Sequence, residues 1–372
     1  MAGVYIHIPF CRKACYYCDF HFSTQLSNQN RVSDALVSEV ALKKDRFPSK
    51  LQTVYFGGGT PSLLSRKELQ SILNALPIHD YRPTELTLEA NPEDITEAKL
   101  DEWHQLGINR LSIGIQSFDD NFLSSMNRNH DVALAKEKLA LVQNGPIRNF
   151  TADLMFGKPR ETKETLKAEM EQLLRYEPKH ISVYCLTVEE GTALHHLDQK
   201  GEFKAPTENH KSEHFHFIVD TLKAAGIHQY EVSNFAQPGF ESLHNGNYWE
   251  GEPYIGIGPG AHEFDGNATR RWNVSNNARY LKAIEAGELP EELETLSFEN
   301  QWNERFLVAL RRLKGLDLAQ FERDFGAAPL AGKEALLDDL LQKKWIHLSE
   351  DRMWLTTDGL LMADHIASQF FK

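Results

Sequence analysis

The sequence has little of what marks secreted, membrane-spanning or nucleic-acid-binding chains. Cysteine occurs 4 times in 372 residues, too few for a disulfide framework to stabilise a chain of this length. No apolar run approaches the roughly 20 residues that a bilayer-spanning helix needs. The stretch MAGVYIHIPFC has no basic flank, no long apolar segment and no small-residue cleavage site, so it does not read as a secretory signal. Basic charge is in deficit: 40 Lys and Arg stand against 53 Asp and Glu, a net charge of −13. A phosphate backbone would be repelled, and no nucleic-acid partner is expected. There is no low-complexity tract. These absences point to a cytoplasmic protein and leave room for peripheral contact at a membrane.

What is present is a β–α rhythm. Apolar runs centre near Val4, Val54, Leu86, Ile113, Leu154 and Val183, with a weaker one, QYEVSNF, near Val232. Most lie about 25–50 residues apart, enough for a strand and its crossover helix. Their poorly alternating character predicts strands covered on both faces. Between them, Ser65 with Glu68 and Asp94 with Glu97 form capping-box patterns that open helices. Repeated β–α alternation implies a parallel sheet, which six or seven units would close partly or fully into a barrel. Polar and glycine residues follow the strands at Gly57–Gly59, Asn91, Gln116–Ser117 and Asp153, where such barrels carry their sites.

The fold class expected is therefore α/β, a partial TIM-like barrel over residues 1–236. Residues 237–299, rich in Gly, Asn and aromatics, read as a loop-rich connector. Residues 300–372 read as a helical domain. There Asp317 with Gln320 opens a helix that Gly326 ends, WIHL and MWL form a hairpin, and a last helix runs over about 358–371. Helices with a hairpin wing resemble a winged helix. Its 11 acidic and 10 basic side chains show no basic face, which favours packing or docking over DNA binding.

Three cysteines fall within eight residues, Cys11-Arg-Lys-Ala-Cys15-Tyr-Tyr-Cys18. In a reducing compartment such clustering reads as metal ligands or redox groups rather than disulfides. Ordinary iron–sulfur cubanes take four thiolates, so three would leave one iron open to a reactant. The alternative is structural zinc on the three cysteines and a histidine such as His21. Cys185, in HISVYCL, reads as a small core residue.

A CxxxCxxC loop after the first strand of a β/α series resembles the radical S-adenosylmethionine (SAM) superfamily. The resemblance implies a [4Fe-4S] cluster on Cys11, Cys15 and Cys18. Its open iron would chelate SAM, and its electron would cleave a carbon–sulfur bond to give a deoxyadenosyl radical, with the protein orienting the cofactors. Tyr17 would lie near the adenine. Gly58, Gly59 and Thr60 of GGGTP resemble the motif that meets the SAM amino group. YIHIPFC, GGGTP, EANP, GIQSF, NRNH and DLMFGKP occur in that order and together resemble the oxygen-independent coproporphyrinogen III oxidase family over nearly the whole chain. By that resemblance Tyr5, Gly58 and Glu89 contact SAM, as do Gln116, Arg128 and Asp153 deeper in the barrel mouth. A carboxylate can hold ribose hydroxyls, and arginine can clamp a carboxylate. Lys158 departs from the family pattern, which has an apolar residue there.

Two features point to a sister branch, the HemW-type haem chaperones. The true oxidases have a fourth cysteine where this sequence has Phe20. They also carry an extension before the first strand, which here is expected at about Val4. His244-Asn-Gly-Asn-Tyr248-Trp249 resembles that branch's HNxxYW haem motif. Imidazole is a usual haem ligand, and Tyr248 and Trp249 could flank a porphyrin. His262 is an alternative ligand, and His7 reads as structural. The expected function is a SAM-binding [4Fe-4S] protein that carries haem to acceptor proteins, such as membrane-bound respiratory-chain components, with an electron donor for the cluster. The rival enzymatic reading is oxidative decarboxylation of coproporphyrinogen III. A second rival is a regulatory protein with a structural metal and a winged-helix tail.

Overall fold

The computed structural model describes residues 3–78 and 83–372. Six β–α steps open the chain. β1 (Gly3–Ile8) leads through a long loop to α1 (Gln29–Leu42), β2 (Thr53–Gly58) to α2 (Arg66–Ala75), and β3 (Glu85–Ala90) to α3 (Glu97–Gln105). β4 (Arg110–Gln116) precedes α4 (Asp120–Ser125) and α5 (Val132–Asn144), and β5 (Phe150–Phe156) precedes α6 (Lys163–Leu174). β6 (His180–Cys185) precedes α7 (Ala193–Gln199) and α8 (Glu208–Ala224). The six strands are parallel and adjacent in sequence order.

The six runs read as strands are strands. They alternate more cleanly than expected. Val54, Phe56, Leu86, Leu88, Leu111, Ile113, Ala152 and Leu154 join the apolar core under the helices. Thr53, Tyr55, Thr87, Glu89, Ser112 and Asp153 occupy the intervening positions, on the other face of the same strands. The lumen is thus polar, and only one face of the sheet is oily.

Ser65 and Glu68 form the predicted reciprocal capping box. The box expected at Asp94 does not form. Pro92 starts a short 3-10 turn, so α3 begins later, with Thr96 capping the Lys99 N–H. Asp94 instead accepts from Arg12 at 2.9 Å and from Ser62 at 2.8 Å.

The run near Val232 is not a seventh parallel strand. It gives two short strands, β7 (His228–Gln229) and β8 (Asn234–Ala236), with β8 antiparallel to β6. The span expected as a loop-rich connector holds four strands and two helices. It contains α9 (Leu243–Glu250), β9 (Tyr254–Ile257), β10 (His262–Phe264), β11 (Thr269–Asn273), α10 (Asn277–Glu285) and β12 (Glu291–Thr295). β9 pairs parallel to β1 and the others continue outward, so the described residues form a 12-stranded sheet ordered β12-β11-β10-β9-β1-β2-β3-β4-β5-β6-β8-β7. These strands were hard to read because they are short and glycine-punctuated. A Cβ at Gly256 would sit 2.1 Å from the His262 carbonyl oxygen.

A buried ionic cluster fastens this extension to α1. Lys43 Nζ lies 2.9 Å from Glu39 and 3.2 Å from Glu263, and donates to the Gly256 carbonyl at 2.8 Å. Glu39 also accepts from Tyr280, Asn273 and the Gly258 N–H.

The remainder is α11 (Phe298–Leu310), β13 (Leu316–Asp317), α12 (Leu318–Phe325), α13 (Glu334–Gln342), β14 (Ile346–Leu348), β15 (Arg352–Leu355), α14 (Thr357–Leu360) and α15 (Ala363–Ser368). Asp317 caps α12, Gly326 ends it at φ 66°, and the hairpin forms as read. The single last helix expected is two short ones. No described helix is long and apolar enough to cross a membrane.

Replacing Lys43 with Met removes the cation from two nearly buried carboxylates. An uncompensated buried charge costs about 3–5 kcal/mol. Denaturant unfolding of Lys43→Met is expected to show a loss of that order.

Candidate functional site

The loop after β1 is held from several sides. Cys11 N–H donates to the Ser23 carbonyl at 3.0 Å and Ser23 N–H to the Pro9 carbonyl at 2.9 Å. Tyr16 N–H donates to the Met126 carbonyl, and Leu194 N–H donates to the Tyr16 carbonyl. Tyr17 packs beside a small apolar cluster that includes Phe122, Met126, Met155 and Leu186. The loop is thereby clamped between α4 and the start of α7.

Glycines let the end of β2 run against this loop. Gly58 has φ +108°, and a Cβ there would lie 2.6 Å from the His7 ring. A Cβ at Gly59 would lie 2.6 Å from the Phe10 carbonyl oxygen. Both positions need a residue without a side chain.

Cys11, Cys15 and Cys18 line one cavity of about 410 Å³ at the carboxyl ends of the strands, together with Tyr17, Gly58, Gly59, Thr60, Glu89, Gln116, Arg128 and Asp153. Among the described residues no three Cys, His, Asp or Glu side chains converge as a single-ion site. The thiols share the cavity wall instead. Burial pushes Cys11 and Cys18 up to about 11, so metal ligation there would displace protons.

Arg128 ties the wall together. Its guanidinium donates to Cys15 Sγ at 3.4 Å, to Asn91 Oδ1 at 2.8 Å and to the Gly114 carbonyl at 2.7 Å. Asn91 donates to Thr60 Oγ1, which donates to Cys11 Sγ at 3.4 Å. The clamp expected for a ligand carboxylate is thus engaged by the cavity's own backbone and side chains.

Glu89 accepts from Tyr55 Oη at 2.8 Å and from the Gly58 N–H at 3.1 Å. Burial raises it to about 7 and raises Asp153 to about 6. Asp153 Oδ1 and Gln116 Oε1 are buried without a hydrogen-bond partner. Gln116 sits at φ 68°, in the left-handed region that non-glycine residues seldom adopt, next to a register shift in β4. Asp153 and Gln116 both line the cavity, whose wall thus offers acceptors to a ligand with hydroxyls or positive charge.

Tyr5 is the exception among the residues predicted to meet SAM. It sits three residues before the end of β1, its hydroxyl lies 3.1 Å from His7 Nδ1, and its side chain does not line the cavity. His7 is buried, with Nε2 at 2.8 Å from the His21 carbonyl, as a structural histidine would be. Cys185, read as a core residue, is only partly buried and also lines the cavity. Phe20 is 65% exposed on the cavity rim. Asn91, expected among the strand-end polar residues, also lines the wall, as do Ser112 and Tyr184, which were not singled out. Period-two alternation was the signal that could have found the last two. Lys158 does not line the cavity; it is buried beside Glu161, Glu169 and Ser117.

The haem-motif residues lie at the opposite end. Glu85, the first residue of β3, accepts the backbone N–H groups of Leu243 and His244 at 2.9 and 3.0 Å. This docks α9 across the amino ends of the strands. Five residue steps along β2 at about 3.3 Å each put roughly 16 Å between the two ends. His244 is 2% exposed. Its Nδ1 lies 2.8 Å from Thr53 Oγ1 and its Nε2 2.8 Å from Tyr248 Oη. Burial lowers its pKa to about 3, so the ring is neutral. Trp249 is half-buried, with Arg311 6.0 Å over its ring. His262 is exposed, 6.1 Å from Trp272.

Residues 5–173 match the Radical SAM superfamily and residues 296–362 the HemN C-terminal domain. A protein of Bacillus subtilis (strain 168) described as heme chaperone HemW is 35% identical over 100% of this chain and 99% of its own length. The protein so described from Lactococcus lactis is 32% identical over 99% of this chain and 97% of its own. Coproporphyrinogen III oxidase (HemN) from Escherichia coli, a radical SAM enzyme, superposes with TM-score 0.83 at 22% identity, covering 100% of this chain and 90% of that one. That likeness shows a shared fold. With full-length relatives of this identity and the superfamily's match on the cysteine loop, the chain belongs to the HemW family of radical SAM proteins.

Proposed function

We propose that the protein is a haem chaperone. In this reading the cavity holds a [4Fe-4S] cluster on Cys11, Cys15 and Cys18 with SAM beside it, and α9 binds haem for delivery to acceptor proteins. The observation that carries the reading is one cavity lined by three loop thiols and two orphaned acceptors, Asp153 Oδ1 and Gln116 Oε1. When bound, the cluster supplies one electron to the sulfonium of SAM. The chain's residues do the rest. Thr60 and Arg128 direct donors at cluster-loop sulfurs. Glu89 and Asp153 offer charge to a cationic ligand, and Tyr17 walls the cavity beside the loop.

His244, Tyr248 and Trp249 are the candidate haem residues, on the resemblance of their motif; the relatives named for haem support haem binding by the chain. Iron ligation by His244 requires a ring nitrogen to leave Thr53 or Tyr248. Phe20, at the place of the oxidases' fourth cysteine, favours the chaperone over coproporphyrinogen oxidation. The acceptors in this reading are haemoproteins, respiratory-chain components among them. The protein would meet them from the cytoplasm, at the membrane periphery, and an external donor would reduce the cluster.

Three measurements test this. Anoxic reconstitution of the wild type and of Cys185→Ala is expected to give equal iron and sulfide, while alanine at Cys11, Cys15 or Cys18 abolishes the cluster. Zinc without sulfide in the wild type would overturn the assignment. Haem titration followed by absorption is expected to show binding weakened about tenfold or more in His244→Ala, with the cluster retained.

The third concerns pH. A bound cation favours ionised Glu89, whose pKa of about 7 lies above the ordinary carboxylate value. Below pH 7 the carboxyl must therefore release a proton as SAM binds. SAM affinity is expected to rise with pH up to about 7 and level off above it, and Glu89→Gln flattens that rise.

A further inference from the structure

We propose that Glu169 is a positioning residue for SAM: with Lys158 as its counter-ion, it holds Gln116 in the left-handed turn that sets the Gln116 amide in the cavity wall. This rests on the reading that the cavity takes SAM and that Gln116 is one of its contacts.

Gln116 is a backbone outlier with a local form. Five described non-glycine residues have positive φ, and Gln116 alone among them lies within a strand and lines the cavity. The Ser117 N–H donates to the Ile115 carbonyl at 2.8 Å. A three-residue turn closed in this way, with its middle residue at φ 68°, is the strained form of the γ-turn. A bulge accompanies it. Ile113 lies opposite Ala152 and Gln116 opposite Leu154, so β4 uses three residues where β5 uses two. Bulges re-aim side chains, and here Gln116 Oε1 ends up buried without a partner. Such a conformation persists only where its surroundings over-determine it.

Those surroundings converge on one carboxylate. Glu169 lies on α6, and its Oε1 accepts from the Ser117 hydroxyl and from the Phe118 N–H, the latter at 2.9 Å. Its Oε2 accepts from Lys158 Nζ, which also donates to Ser117 Oγ at 3.2 Å. The Ser117 oxygen accepts in addition from the Asp119 N–H at 3.1 Å. On the other side of the turn His130 Nε2 lies 3.1 Å from the Ile115 carbonyl oxygen. Ser117, His130, Lys158 and Glu169 are all buried. The two residues after Gln116 are therefore tied to α6 and the one before it to His130, which leaves the middle residue no room to relax. The carboxylate divides its work: one oxygen braces the turn and the other faces Lys158. Glu161, 3.1 Å from Lys158, completes the charge balance. Lys158, which departs from the family pattern and does not line the cavity, thus orients Glu169. Without the brace the turn returns toward extended backbone and the amide leaves its place in the wall. The donors to the cysteine sulfurs, Thr60, Arg128 and the Phe20 N–H, lie outside this network, so the cluster does not depend on it.

The experiment is SAM titration of the cluster-reconstituted protein, followed through the electron paramagnetic resonance of the reduced cluster, in the wild type, Gln116→Gly, Glu169→Ala and the double variant. Glycine at 116 removes the amide and suits the left-handed φ without a brace. Each single variant is expected to raise the SAM dissociation constant about tenfold, the effect of losing about one hydrogen bond to a charged ligand. The double variant is expected to match Gln116→Gly within about twofold, because a residue that acts through another adds nothing once the other is gone. Iron and sulfide content and haem affinity stay at wild-type levels throughout. Ser117→Ala carries the same test with Glu169 and its Lys158 pairing in place, should Glu169→Ala not fold. It is expected to weaken SAM about threefold with the Gln116 side chain present and to have no effect without it. Effects that multiply in the double variants overturn the positioning role, as does wild-type SAM affinity in Glu169→Ala. Wild-type affinity in Gln116→Gly removes Gln116 from the SAM contacts and overturns the role of Glu169 with it. A wild type that holds the cluster and binds no SAM overturns instead the reading of the cavity itself.

Discussion

The structure depends on the period-two alternation of six parallel strands around a polar lumen. Apolar positions such as Val54, Leu88, Ile113 and Leu154 are buried under helices and supply the hydrophobic stabilisation. The intervening positions carry Tyr55, Thr87, Glu89, Arg110, Ser112 and Asp153 into the lumen, where burial raises Glu89 and Asp153. Buried polar groups are costly unless they find partners. Some do so across the lumen, as Tyr55 does with Glu89 and His180 with Thr151. Thr87 Oγ1, Arg110 Nε, Asp153 Oδ1 and Gln116 Oε1 are buried without a partner, and of these residues Asp153 and Gln116 line the cavity.

The two ends of this lumen are finished differently. At the carboxyl ends the long loop after β1, the glycine turn after β2 and Arg128 frame an open cavity. At the amino ends α9 closes the lumen. Glu85 captures its first backbone N–H groups, and His244 fills the space between Thr53 and Tyr55. The carboxy-terminal domain then holds α9 from outside. Arg312 donates to the Trp249 carbonyl and to Glu250, and Lys314 lies near the same carboxylate.

Much of this was legible in the sequence. The six parallel strands, the cysteine loop and the caps at Ser65 and Asp317 follow from local rules that the tertiary structure reinforces. The failures have physical reasons. Cap patterns at Asp94 were outcompeted by Pro92 and by a tertiary partner, Arg12. The sheet extension over 254–295 consists of short strands whose stability comes from the Lys43 cluster, contributed by residues more than 200 positions away. No local pattern encodes that. The polar lumen was hidden for a simpler reason: tyrosine, threonine and glycine inside β strands look apolar enough to mask alternation. The Tyr55–His244 contact joins β2 to α9 across 189 positions, and only the folded barrel reveals it.

Four thiols border the cavity, and the chain itself distinguishes three of them. A thiol suited to ligation is one whose sulfur receives donors, because donors stabilise the thiolate that binds iron. Cys11 receives the Thr60 hydroxyl and Cys15 the Arg128 guanidinium. The Phe20 backbone N–H acts in the same direction on Cys18, lowering a pKa that burial raises. Cys185 has no such donor. Its sulfur lies 4.0 Å from the Leu186 carbonyl, and the charge of Lys211 opposes the rise that burial gives it, as it gives Cys11 and Cys18. Phe20 thus supports the third loop thiol through its backbone while its side chain stays on the cavity rim.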